Sequence, residues 1–126
     1  MIIIFVNCSL FPFIDWIIKG LKQYETRNKN TLFRFIGKTV YLAETGRKKP
    51  VVRCSCTISN LVTITDKKTY NRYRNKTMIK RGSVFDWTEK TRKKCLYRIE
   101  NVHELEQPFT IPENATRHGR IYATVD

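Results

Sequence analysis

Gly20, Lys22, Glu25 and Arg27 fall within one octet, GLKQYETR, where an apolar segment (FPFIDWIIK) gives way to a polar, basic one (NKNTLFR). Two cations and one carboxylate at this spacing can bind an anion. The Arg27 guanidinium can fork onto a phosphate or a carbonyl edge. The Glu25 carboxylate can orient either cation, accept from the amino group of a base, or act as a general base. Side chains alternate along a strand, so Glu25 and Arg27 share one face, and Tyr24 and Thr26 share the other. Lys22 has the wrong parity to join Glu25 on a regular strand. It converges only by leaving from the turn after Gly20, which a glycine stop makes feasible. The same residues also fit a plain helix stop followed by a solvated strand edge.

The elements that must present this octet are legible in the pattern. IIIFV (2–6) is β-branched and aromatic without alternation, which predicts a short central strand buried on both faces. Ser9 offers an N-cap, Pro12 fits a first helical turn, and Asp15 lies near the positive end of the dipole. Leu10, Phe13, Ile14 and Ile17 follow helical spacing, and Gly20 suits the left-handed stop. Residues 22–27, 38–45, 51–65 (bent near Asn60) and 95–102 read as strands. Residues 103–119 read mostly as loop, and 121–125 as the strand that closes the sheet. The order predicts a small α+β barrel with one helix plugging an end, in a single domain over 1–126.

Charge is the strongest global signal. The chain has 126 residues with 24 Lys and Arg against 11 Asp and Glu, a net +13. Such a surplus attracts polyanions, nucleic acid first. From Asp66 to Arg98, twelve cations stand against three acids. Lys67, Lys68, Arg72, Arg74, Lys76, Lys80, Arg81, Arg92, Lys93 and Lys94 are the expected phosphate-attracting set, on a basic helix or irregular arm (66–81) that Asp66 can cap and Gly82 breaks. Tyr70 and Tyr73 interleave with the cations and fit either stacking on bases or a helix's core contacts at i, i+3. Trp87 can cover a flat base or plug the core.

The motif G-x-K-x-x-E-x-R, directly after an apolar helix near the N-terminus, resembles the signature of ASCH domains, members of the PUA-like superfamily. Gly20, Lys22, Glu25 and Arg27 match its four positions. The order that follows is also similar: Gly37 then KTVYLA, a basic turn, and the long strand VVRCSCTI. The resemblance covers roughly the first half of the chain, and the C-terminal third agrees in layout only. It implies a PUA-like mixed β-barrel whose cleft is lined by the motif, with RNA or a nucleotide as ligand. Some relatives are hydrolases: a ribonuclease, and an amidohydrolase of acylated cytidine in which a Lys and a Thr on the motif act with a distant Glu. Lys22 matches that Lys, Glu25 stands where the Thr would be, and the basic arm occupies the region of the distant Glu.

The expected function is therefore an RNA- or nucleotide-binding module, DNA not excluded, with Gly20, Lys22, Glu25, Arg27 and Trp87 at the ligand. The alternative is a hydrolase in the same cleft, Lys22 stabilising a developing anion and Glu25 serving as base. A third is an adaptor for an acidic protein. Cys54 and Cys56 flank Ser55 and face the same way, but their spacing is not that of zinc ligands, and burial as small apolar groups is the expectation. No P-loop or G-x-G-x-x-G occurs. The expectation is no metal, no cofactor, no membrane partner, and a reducing, cytoplasmic setting.

Overall fold

The computed structural model describes all 126 residues, Met1–Asp126. In chain order it comprises β1 (Ile2–Asn7), α1 (Phe13–Ile18), β2 (Tyr24–Arg27), a 3₁₀ turn (Phe33–Phe35), β3 (Thr39–Thr45), β4 (Val51–Ile64), α2 (Lys67–Arg72), α3 (Arg74–Thr77), β5 (Lys94–Thr110), β6 (Thr116–His118) and β7 (Tyr122–Thr124). The strands form one mixed sheet in the order β2-β5-β4-β3-β1-β7-β6, in which β1 and β3 run parallel and the other pairs antiparallel. This is the α+β, barrel-like architecture the element order predicts. No helix is long and apolar enough to cross a membrane.

The uninterrupted apolar run of β1 is explained by its two covered faces. Ile4 and Val6 enter the main core with Phe13, Ile14, Ile17, Leu42 and Tyr97. Ile3 and Phe5 enter a second cluster with Ala43, Val52 and Ala123. Register shifts along β4 and β5, one of them between Ile58 and Asn60, curl the sheet. The barrel stays open, because the two outermost strands, β2 and β6, do not pair with each other.

Four expectations are corrected. Ser9 does not cap α1: Pro12 is the N-cap, with no side-chain hydrogen bond, and Ser9 N donates to Asn7 Oδ1 at 2.8 Å. Leu10 lies outside the helix and is 60% exposed. Residues 103–110 are strand, not loop, because β5 continues along the start of β4. Pro108 is tolerated there because four residues of β5 bulge between the pairs Val52–Phe109 and Cys54–Glu104, where no ladder donor is needed. β7 does not close the sheet; it lies between β1 and β6.

Gly20 does what its spacing predicts. With φ +78° it ends α1: Gly20 N donates to Ile17 O (3.0 Å), and Leu21 N to Trp16 O (2.8 Å). These two bonds make a Schellman stop. The chain is thereby turned back so that Lys22 emerges beneath β2. In the basic arm, Asp66 Oδ2 accepts from Thr69 N at 2.9 Å and caps α2.

Candidate nucleic-acid interface

β2 is an outer strand, and its Glu25 and Arg27 point the same way. Arg27 donates to Glu25 Oε2 at 3.0 Å and to the Phe5 carbonyl of β1 at 2.8 Å. Glu25 Oε1 accepts from Thr26 N (3.2 Å) and lies 3.7 Å from Lys22 Nζ. The three charged groups of the motif do converge. They differ in access, however. Glu25 and Arg27 line a cleft, whereas Lys22 does not. Lys22 is 2% exposed, its Nζ donates to Thr77 O at 2.6 Å, and it sits 4.6 Å from the centre of the Phe13 ring. Burial lowers its pKa to about 8, with Glu25 pulling the other way. Lys22 thus ties the end of α3 to β2 from below the cleft wall.

The cleft holds about 550 Å³ and lies in the seam where β1 and β2 fail to pair. Phe5, Val6 and Asn7 form one side, and Glu25, Thr26, Arg27 and Asn28 the other. Phe13, Ile79, Val84 and Phe85 supply apolar wall, and Lys94, Arg117 and Arg120 add cations. Phe5 N donates to Ile121 O while its carbonyl takes Arg27, so β-alternation turns the backbone of Asn7 into the same seam. The hydroxyl of Thr26 is buried with no hydrogen-bond partner.

The wall carrying Val84 and Phe85 is pinned by Asp86. That carboxylate accepts from Gly82 N (2.8 Å) and Trp87 N (2.7 Å) and pairs with Arg74 at 3.0 Å. Burial alone would raise its pKa; these bonds more than offset that and hold it below the usual carboxylate range. Lys94 reinforces the wall, donating to Phe85 O (3.2 Å) and to Asn28 Oδ1 (2.7 Å). It is 5% exposed, and burial lowers its pKa, opposed by Asp86.

Other sequence candidates sort differently. Gly20 is outside the cleft and serves as the helix stop. Trp87 is also outside it, packed 5.5 Å from Tyr70. Tyr70 is buried with Ile64 and Leu96, so it has no face free for a base, and Tyr73 packs edge-on against Tyr24 at 5.3 Å. Of the phosphate-attracting set, Lys67, Lys68, Arg72, Lys76, Lys80, Arg81, Arg92 and Lys93 are exposed. Arg74 is committed to Asp86, and Lys94 belongs to the cleft rather than the surface. Sequence reasoning missed Asn7, Asn28, Arg117 and Arg120, because nothing in a linear pattern joins a C-terminal hairpin to β2. All four cysteines are buried and free, with Cys54 and Cys56 pushed up to about 12 by burial, too high for a ready thiolate. No group of three or more His, Cys, Asp or Glu is placed to hold a metal ion.

No protein-family model matches the chain, and no curated protein matches it in sequence. Solved structures do match. The ASCH protein of Zymomonas mobilis superposes with a TM-score of 0.71 over 87% of this chain and 73% of that one, at 17% identity. Two point mutants of that protein superpose with a TM-score of 0.70 at 17% identity, over 86% and 87% of this chain and 72% and 75% of theirs. The chain has the ASCH-domain fold. At 17% identity the likeness is one of backbone architecture. Within this ASCH fold, the last three residues of the octet, Glu25, Thr26 and Arg27, furnish one lip of the open seam.

Proposed function

We propose that the chain binds RNA or a nucleotide in the seam between β1 and β2, with the exposed cations of the α2–α3 arm and residues 92–93 drawing in the phosphate backbone. One observation carries this reading: a single cleft combines an apolar wall, amide and carboxylate groups, and four cations against one acid. An apolar wall at Phe13 and Phe85 suits a flat base, Glu25 and Asn28 suit its polar edge, and the excess of cations suits phosphate. A volume of 550 Å³ is that of a small-ligand pocket, fit for one nucleotide rather than a duplex. The ASCH fold is consistent with such a module.

The hydrolase alternative requires Lys22 at the reacting atoms. Its ammonium is committed to Thr77 O and Glu25 outside the cleft lining, which favours binding over turnover. The test is anisotropy of labelled single-stranded RNA, single-stranded DNA and polyglutamate across a salt series. RNA affinity should fall with a slope of about −0.7 per phosphate contacted. Removing Lys67, Lys68 and Arg72 should flatten that slope, whereas Glu25→Gln should weaken RNA at every salt concentration. RNA should be recovered at unchanged length. Equal binding of polyglutamate, untouched by Glu25→Gln, would instead indicate an adaptor for acidic proteins.

A further inference from the structure

Most cations that touch the sheet's interior are neutralised. Lys22 and Arg27 share Glu25, Arg53 takes Asp15 and Glu44, Arg74 takes Asp86, and Arg98 takes Glu100. Lys94, Arg117 and Arg120 have no carboxylate partner, and all three line the same cleft. The one acid there, Glu25, is already claimed by Arg27. Lys94 is the most telling of the three. An ammonium at 5% exposure is costly to desolvate, yet its two bonds go to neutral oxygens, and a lysine head has a third donor to place. Arg117 is held in position without using any donor: its guanidinium lies 5.5 Å from the centre of the Phe5 ring. Arg120 follows in the same hairpin, past Gly119, whose φ of +61° makes the reversal possible.

We propose that Lys94, Arg117 and Arg120 form a phosphate subsite within the cleft, so that the ligand enters as a phosphorylated nucleotide rather than a free nucleoside. The inference rests on the nucleotide-binding reading above and adds to it the chemical form of the ligand. The phosphate is either the monoester of a free mononucleotide or strand terminus, close to a dianion at neutral pH, or the monoanionic diester within an RNA strand; both present anionic oxygens to the same three cations.

Calorimetry separates these cases. The probes are the four common ribonucleosides, their 5′- and 3′-monophosphates, and a short single-stranded RNA with and without a terminal phosphate. At least one monophosphate should bind about tenfold or more tightly than its nucleoside. The double variant Arg117→Ala/Arg120→Ala, at exposed positions, should erase that preference; Lys94→Met, with its fold checked by circular dichroism, should reduce it. Lys38→Ala, which removes an exposed cation outside the cleft, should leave mononucleotide binding unchanged. If RNA alone binds and the double variant weakens it regardless of its end, the subsite holds a strand phosphate; if only phosphorylated ends respond, it holds a terminus. Nucleosides and monophosphates binding alike would overturn the subsite and leave the cleft reading standing. If no nucleoside, monophosphate or RNA binds, both fail.

Discussion

Replacing Lys22 by Met should remove one limb of the pH–stability profile. In the folded chain burial lowers the Lys22 pKa from 10.5 to about 8. The unfolded chain therefore keeps this proton over a window in which the folded chain has lost it. Wherever the unfolded state binds more protons, stability rises with pH. The strain of an ionised Lys22 is fully present below about pH 8 and is relieved as the pH climbs towards 10.5. A shift of this size, at a fully buried head, is worth about 2 to 3 kcal/mol between about pH 7 and about pH 10. All other lysines titrate equally in wild type and variant, so the difference between the two profiles isolates this one. At neutral pH the substitution has opposing effects: it removes a desolvated charge but takes the ammonium donor from Thr77 O and leaves Glu25 with Arg27 as its remaining cation. The slope, not the offset, is the readout. Urea unfolding of wild type and Lys22→Met at several pH values should show wild type gaining on the variant as pH rises. Parallel profiles would refute the placement of Lys22 beneath the cleft.

Three further outcomes follow from the same geometry. Asp86→Ala should cost about 1 to 3 kcal/mol in urea unfolding, because two backbone N–H groups and Arg74 lose a shared acceptor, and it should weaken ligand binding by loosening the Val84–Phe85 wall. Gly46→Ala should lower the melting temperature and narrow the cleft, since a Cβ there meets Asn7 Oδ1 and the Ser9 backbone at a φ of +96°. Gly20→Ala should cost about 1 kcal/mol of stability through its positive φ while leaving ligand affinity unchanged, as expected of a helix stop outside the cleft.

The octet at Gly20 was readable because each step was local. A glycine stop, a parity argument and one strand suffice to bring Glu25 and Arg27 together and to force Lys22 in from the turn. Burial of that lysine was not readable, because it depends on Thr77 and Phe13, contacts from other elements. The basic arm shows the same divide. Its cap at Asp66 is a short-range bond and was foreseen, but the fate of its tyrosines was set by Ile64, Leu96 and Tyr24 across the fold. Residues 103–110 misread as loop because Pro108 and scattered polar residues hide a strand whose partner begins some fifty residues earlier. Arg117 and Arg120 carry no signature at all; only the β6–β7 hairpin beside β1 brings them to the cleft.

The seam itself sets how the cleft can change shape. Between β1 and β2 the bridge is the Arg27 side chain reaching the Phe5 carbonyl, and no backbone ladder joins the two strands. A change of rotamer at one residue can widen the aperture without unpairing any strand. Such a widening costs a few side-chain contacts, while the seven-stranded scaffold around the cleft stays intact.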